Sequence, residues 1–130
     1  VIAIAAGGGG IPIYVEDDGT YEGVDVVVDK DRASAVLGQA IGAEMLLILT
    51  AVDRVAINFG KPNQQALSQI SVSEARRYLA EGHFPDGSMG PKIEAAIQFI
   101  NAGGKKVLIT SIEKAEAALR QQDGTWILPD

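Results

Sequence analysis

Cysteine is absent from this chain, which removes disulfides, thiolate metal sites and cysteine nucleophiles from consideration. Histidine occurs once, as His83, and one histidine cannot build a zinc site. A metal held here would have to be oxygen-ligated, such as magnesium arriving with a nucleotide. Positive charge is scarce: 11 lysines and arginines stand against 17 acidic residues, a net charge of -6. That balance argues against general affinity for nucleic acid or anionic membrane, yet leaves room for a local basic site that takes a small anion. Long apolar runs are missing too. The most apolar stretch, Met45 to Leu49, falls far short of a bilayer crossing, so no membrane segment is expected and the cytoplasm is the default location. The chain opens on Val1-Ile2-Ala3-Ile4-Ala5-Ala6 with neither a basic leader nor an initiator methionine. It reads as a buried strand, and its abrupt start leads us to expect a piece of a longer protein.

What is present is ordinary globular material. The 130 residues, 47 % hydrophobic and 22 % charged, suffice for one domain with a sizeable core. Short apolar runs alternate with helix-period segments, the pattern of an α/β fold with a largely parallel sheet. Strands are expected at Val1 to Ala5, Ile11 to Val15, Val24 to Val28, Met45 to Thr50, Val55 to Phe59, Val107 to Thr110 and Thr125 to Leu128. Helices are expected from Arg32 to Ile41, and from the Ser71-x-x-Glu74 capping box to Glu81. A third follows Gly90-Pro91 and closes at Gly103-Gly104, and a fourth runs from a Ser111 cap to Gln121.

Three stretches invite chemistry. Gly7-Gly8-Gly9-Gly10 follows a strand, where four glycines serve either close approach of backbone N–H groups to an anion or tight packing. Asp29-Lys30-Asp31 lies where a strand ends and a helix begins, the edge at which parallel α/β sheets bind ligands. Helix capping by Asp29 or Asp31 explains the same residues. Gly87-Ser88-Met89-Gly90-Pro91-Lys92 delivers a lysine into a first helical turn, where a cation opposes the helix dipole unless an anion shares the site. A solvated surface lysine is the alternative. Neither a Walker nor a Rossmann glycine pattern is present. His83 and Trp126 have no partner that spacing identifies.

Taken in order, the stretches resemble the C-terminal half of a carbamate kinase, in the amino-acid-kinase superfamily. The matching residues are Ala5-Ala6-Gly7-Gly8-Gly9-Gly10-Ile11-Pro12, Asp29-Lys30-Asp31, and Leu49-Thr50 through Asn58-Phe59-Gly60-Lys61-Pro62. Glu81-Gly82-His83-Phe84, Gly87-Ser88-Met89-Gly90-Pro91-Lys92 and Gly124-Thr125 complete the set. The resemblance implies a three-layer αβα fold with a mainly parallel sheet, residues 1–130 forming its nucleotide-binding half and the N-terminal half being absent. It implies reversible phosphoryl transfer between ATP and carbamate, giving ADP and carbamoyl phosphate, with magnesium carried by the nucleotide. By resemblance, Lys30 and Lys92 contact the phosphates and Asp31 orients both lysines. Gly8, Gly9 and Gly10 approach the transferred group or the carbamate. Thr50, Val52, Val55, Ala56, Lys61, Met89, Gly90 and Lys92 fall in the nucleotide pocket. Many relatives in the wider superfamily carry aspartate where this chain has Ala51. A homodimer of the full-length parent, made mainly by the missing half, is also implied, and the partners are small molecules alone. Another phosphotransferase, acting on an acidic amino acid or a nucleoside monophosphate, and a nucleotide sensor without turnover are the alternatives. Intact Lys30, Asp31 and Lys92 speak against the sensor. A carbamate oxygen is already an anion, so transfer to it needs charge neutralisation rather than a general base.

Overall fold

The computed structural model describes residues 12–130. The expected strand at Val1 to Ala5 and the glycines Gly8, Gly9 and Gly10 lie outside the described residues. The chain begins with an antiparallel hairpin, β1 (Ile13–Val15) and β2 (Tyr21–Gly23), whose turn is closed by the Asp18 carboxylate accepting from the Thr20 N–H and hydroxyl. There follow α1 (Lys30–Ala40), β3 (Met45–Thr50), and a second small hairpin of β4 (Ala56–Ile57) and β5 (Gln65–Ala66). After β6 (Gln69–Ser71) come α2 (Val72–Ala80), α3 (Met89–Asn101), β7 (Lys106–Ser111), α4 (Ala115–Leu119) and β8 (Thr125–Leu128).

The main sheet has the order β3-β7-β8-β6. β3 pairs with β7 in parallel, Met45 opposite Lys106 through Thr50 opposite Ser111, and β6 pairs with β8 in parallel. β7 and β8 are antiparallel. Their link contains only the five-residue α4, roughly 7–8 Å of helix, too short to carry the chain back along β7, so β8 folds beside it. One face of the sheet, with Ile48, Ile70, Val107, Ile109 and Ile127, packs on Ile93, Ala96, Phe99 and Ile100 of α3, with Val72 and Ala75 of α2 and Ala35 of α1 joining the cluster. Strand alternation turns Leu108 to the other face. There it meets α4, with Gly124 wedged between Leu108 and Ala118. The expected three-layer α/β arrangement is thus formed among the described residues, with a mixed rather than uniformly parallel sheet.

Several elements differ from expectation; α3 begins at Met89 rather than after Gly90-Pro91, and four others differ as follows. α1 starts at Lys30 because Asp29 is its N-cap, accepting from the Arg32 N–H at 2.9 Å. Ser111 accepts from the Lys114 N–H, closing a turn ahead of a helix that begins only at Ala115. The Val55 to Phe59 segment shrinks to the two residues of β4. Val24 to Val28 forms no strand at all. β-branched residues favour extended backbone, but a strand is a pairing. These valines instead face solvent, Val27 at 95 % exposure. The Ser71–Glu74 capping box forms as expected, with both reciprocal hydrogen bonds present.

The Gly103-Gly104 pair ends α3 and also shapes the core. Gly103 adopts a φ of 105°, the left-handed region that glycine favours. Gly104 lies against the Phe99 ring, so that a Cβ there would come within 2.2 Å of a ring carbon. Phe99 is 1 % exposed and has Gly38 of α1 on another side, so it has nowhere to move. Gly104→Ala should therefore destabilise the protein by about 1–3 kcal/mol through overpacking, read as a lower urea midpoint. An unchanged midpoint would show that the ring is not confined.

Candidate functional site

α1 and α3 each precede a strand of the parallel β3–β7 pair, so both helices begin at the edge where those strands end. A cleft of about 340 Å³ opens there. Lys92, in the first turn of α3, reaches Asp31, in the first turn of α1: Nζ to Oδ2 is 2.7 Å, across 61 positions of sequence. Both side chains are about four-fifths shielded from solvent, and both line the cleft. Because Asp29 takes the capping task, the Asp31 carboxylate is left for Lys92. A second pair, Arg32 to Glu94 at 2.5 Å, ties the same two helices at the surface.

The start of α3 suits an anion. Ser88 makes no capping hydrogen bond from its side chain, and Pro91 has no N–H to satisfy. The positive end of the helix dipole and the Lys92 ammonium therefore converge on a cleft also lined by Asp31, which pairs with Lys92, and by Asp29, which caps α1. Among the described residues, no group of three or more histidine, aspartate or glutamate side chains could hold a metal ion. No helix is long and apolar enough to cross a membrane.

The structure brings Asp31, Thr50, Val52, Ala56, Met89 and Lys92 to the cleft wall. It does not bring all of the expected set there. Lys30 is the exposed first residue of α1, beside Asp31 in sequence but not on the wall. Val55 is fully buried behind it. Gly90 is buried with its N–H donated to the Pro85 carbonyl, where a Cβ would press on that oxygen at 3.1 Å. Lys61 lies in the exposed loop of the β4–β5 hairpin, its own N–H bonded to the Asn58 carbonyl.

Residues 2–111 match the model of the amino acid kinase family. The chain belongs to that family. It is 50 % identical over 127 residues to the carbamate kinase-like protein YahI of Escherichia coli, covering 98 % of this chain and 40 % of that protein. It is 52 % identical over 128 residues to the carbamate kinase of Clostridium perfringens, again 98 % of this chain and 40 % of the relative. Among solved structures, the carbamate kinase from Giardia lamblia bound to AMP-PNP superposes with a TM-score of 0.87 at 43 % identity, over 94 % of this chain and 38 % of that one. The chain thus spans about two fifths of the length of the relatives it matches.

This amino acid kinase chain also lines its cleft with Arg54, Phe59, His83 and Phe84, none of them among the expected site residues. For Arg54 a signal existed, because it follows the C-terminal end of a strand in a sheet of this kind. For His83 the signal was its place in the Glu81-Gly82-His83-Phe84 stretch of the resemblance, to which no role was attached; its ring stands edge-on to Tyr78 at 5.7 Å and its Nε2 lies 3.2 Å from Glu81. Arg54 is held from the far side by Asp123, Nε to Oδ1 at 2.7 Å. That hydrogen bond, with a second from the Gly124 N–H, holds the Asp123 carboxyl below the usual aspartate range. A carboxyl whose pKa is depressed by folding stabilises fully above its unfolded value, about 3.9, and loses that contribution as pH falls through the folded one. Asp123→Asn should accordingly lower stability at pH 7 and lower it less at pH 3, measured by urea unfolding at both. An equal loss at the two pH values would show that the charge is immaterial.

Proposed function

We propose that this chain is the nucleotide-binding part of a phosphotransferase that moves a phosphoryl group reversibly between ATP and carbamate, giving ADP and carbamoyl phosphate. The observation that carries the reading is the Lys92–Asp31 pair on the cleft wall, at the convergence of two helix starts and a strand end. The likeness to about two fifths of the length of carbamate kinases supports it, as does the adenine nucleotide AMP-PNP in the Giardia relative. In this reading magnesium arrives with the nucleotide.

The acceptor is an anion and needs no base, so the protein's work is electrostatic. Lys92 neutralises charge on the phosphoryl group in flight, and Asp31 fixes the ammonium so that little reorganisation remains to be done. Lys30, the residue before Asp31 on α1, is the second phosphate lysine. Thr50, Val52, Ala56 and Met89 enclose the nucleoside, with Val55, Lys61 and Gly90 shaping that wall from behind or beside it. Gly8, Gly9 and Gly10 approach the transferred group. The carbamate site and the contact of a homodimer are supplied by further chain, and the enzyme works in the cytoplasm. Exposed apolar side chains such as Val27, Ile41 and Leu49 are consistent with a surface that such chain would cover.

Two outcomes test the reading. In the full-length parent, Asp31→Asn should lower kcat by about a hundredfold and leave the Kd for ADP with magnesium within about threefold, a shift of only ~0.6 kcal/mol. The carboxylate is needed most when charge is redistributed. Wild-type turnover in that variant overturns the role of Asp31. The 130-residue chain alone, once circular dichroism shows it folded, should bind ADP weakly by calorimetry yet make no ATP from ADP and carbamoyl phosphate. Holding an acceptor in line can account for roughly 7–11 kcal/mol of a barrier. Turnover within about tenfold of the parent, a difference of about 1.4 kcal/mol, would place the acceptor site inside these residues.

A further inference from the structure

Residues 51–55 belong to no strand; Ala51, Val52 and Arg54 among them line the cleft, and the β7–β8 pair holds the segment in place. Thr110 of β7, with no exposed surface, donates its hydroxyl to the Asp53 carbonyl at 3.2 Å. Thr125, at the start of β8 and equally buried, accepts from the Val55 N–H at 2.9 Å and donates to the Leu67 carbonyl at 2.5 Å. Asp123 takes the Arg54 side chain between these two points. Ala51, Val52, Arg54 and Ala56 line the cleft, while the Asp53 carbonyl and the Val55 N–H turn to the hairpin.

For packing alone, valine would serve at both positions, since they lie in strands among Val107, Leu108, Ile109 and Ile127. A hydroxyl buried there is costly unless bonded, and all of its bonds run to the loop or to Leu67, just after β5. We propose that Thr110 and Thr125 are positioning residues for the nucleotide. Together with the backbone bond from the Leu67 N–H to the Val55 carbonyl at 2.8 Å, their hydroxyls anchor the loop and set the depth to which Val52, Arg54 and Ala56 enter the cleft. The proposal rests on the nucleotide reading above.

The test compares Thr125→Val and Thr125→Ser in the full-length parent, using ADP with magnesium and carbamoyl phosphate as probes. Thr125→Val should raise the Kd and KM for ADP by about tenfold, with kcat at saturation and KM for carbamoyl phosphate unchanged; Thr125→Ser should restore the ADP values. A folded Thr125→Val protein with a lowered melting temperature and unaltered ADP constants overturns the proposal, because a purely structural hydroxyl would behave so. Should that variant not fold, Thr110→Val, which removes only the bond to Asp53, takes its place, and an unaltered KM for ADP is again fatal. If neither folds, amide exchange at Val55 in the unmodified protein decides: slowing with ADP supports the proposal, and indifference to ADP overturns it. Absence of any heat with ADP in the unmodified protein would instead overturn the nucleotide reading itself.

Discussion

Parallel pairing of β3 with β7 fixes where two helices must begin. Each strand is entered from a helix that packs on the same face of the sheet, so α1 and α3 run side by side with their N-termini at the edge where the strands end. That arrangement lets residues 61 positions apart in sequence meet at 2.7 Å as Asp31 and Lys92. The inter-helix spacing is set by small residues around one large one. Phe99 fills the space between Gly38 of α1 and Gly104 at the start of the turn into β7, and no side chain fits in either glycine's place. Core packing and site geometry are therefore one problem in this fold.

Charge at the site is arranged against the backbone's own preference. A lysine in the first turn of a helix opposes the dipole, and both α1 and α3 carry one, Lys30 and Lys92. A chain under pressure only for stability would place acidic residues there. Asp29 supplies the cap that α1 needs, while Asp31 compensates Lys92 across the helix pair. On the opposite wall Asp123 holds Arg54 in the same way, a carboxylate behind a cation that faces the cleft.

The apolar surface has its own logic. Val24, Val26, Val27 and Val28 are β-branched and exposed, and among the described residues β3 is an edge strand carrying Leu49 at 45 % exposure. Valine runs and open hydrophobic edges of this kind ordinarily seek a pairing partner.

Local signals in the sequence were enough for most elements. The Ser71–Glu74 box, the apolar run of Met45 to Thr50 and the glycines closing α3 act within a few residues, so they could be read in order along the chain. The lysine and aspartate at the site were legible for a related reason: helix starts and strand ends are local features, and the resemblance to a known family rests on such short stretches. Whether Asp29 or Asp31 would cap α1 was beyond the sequence, because the choice depends on where Lys92 arrives. The pairing of Val24 to Val28 was equally beyond it, since a strand exists only where a neighbour supplies hydrogen bonds. Tertiary structure alone decided that Arg54, His83 and Phe84 share a wall with Lys92, that Lys61 and Gly90 do not, and that two buried threonines hold the loop between them. The threonine bonds join residues 57 to 70 positions apart, and no periodicity in the sequence reports a distance of that kind.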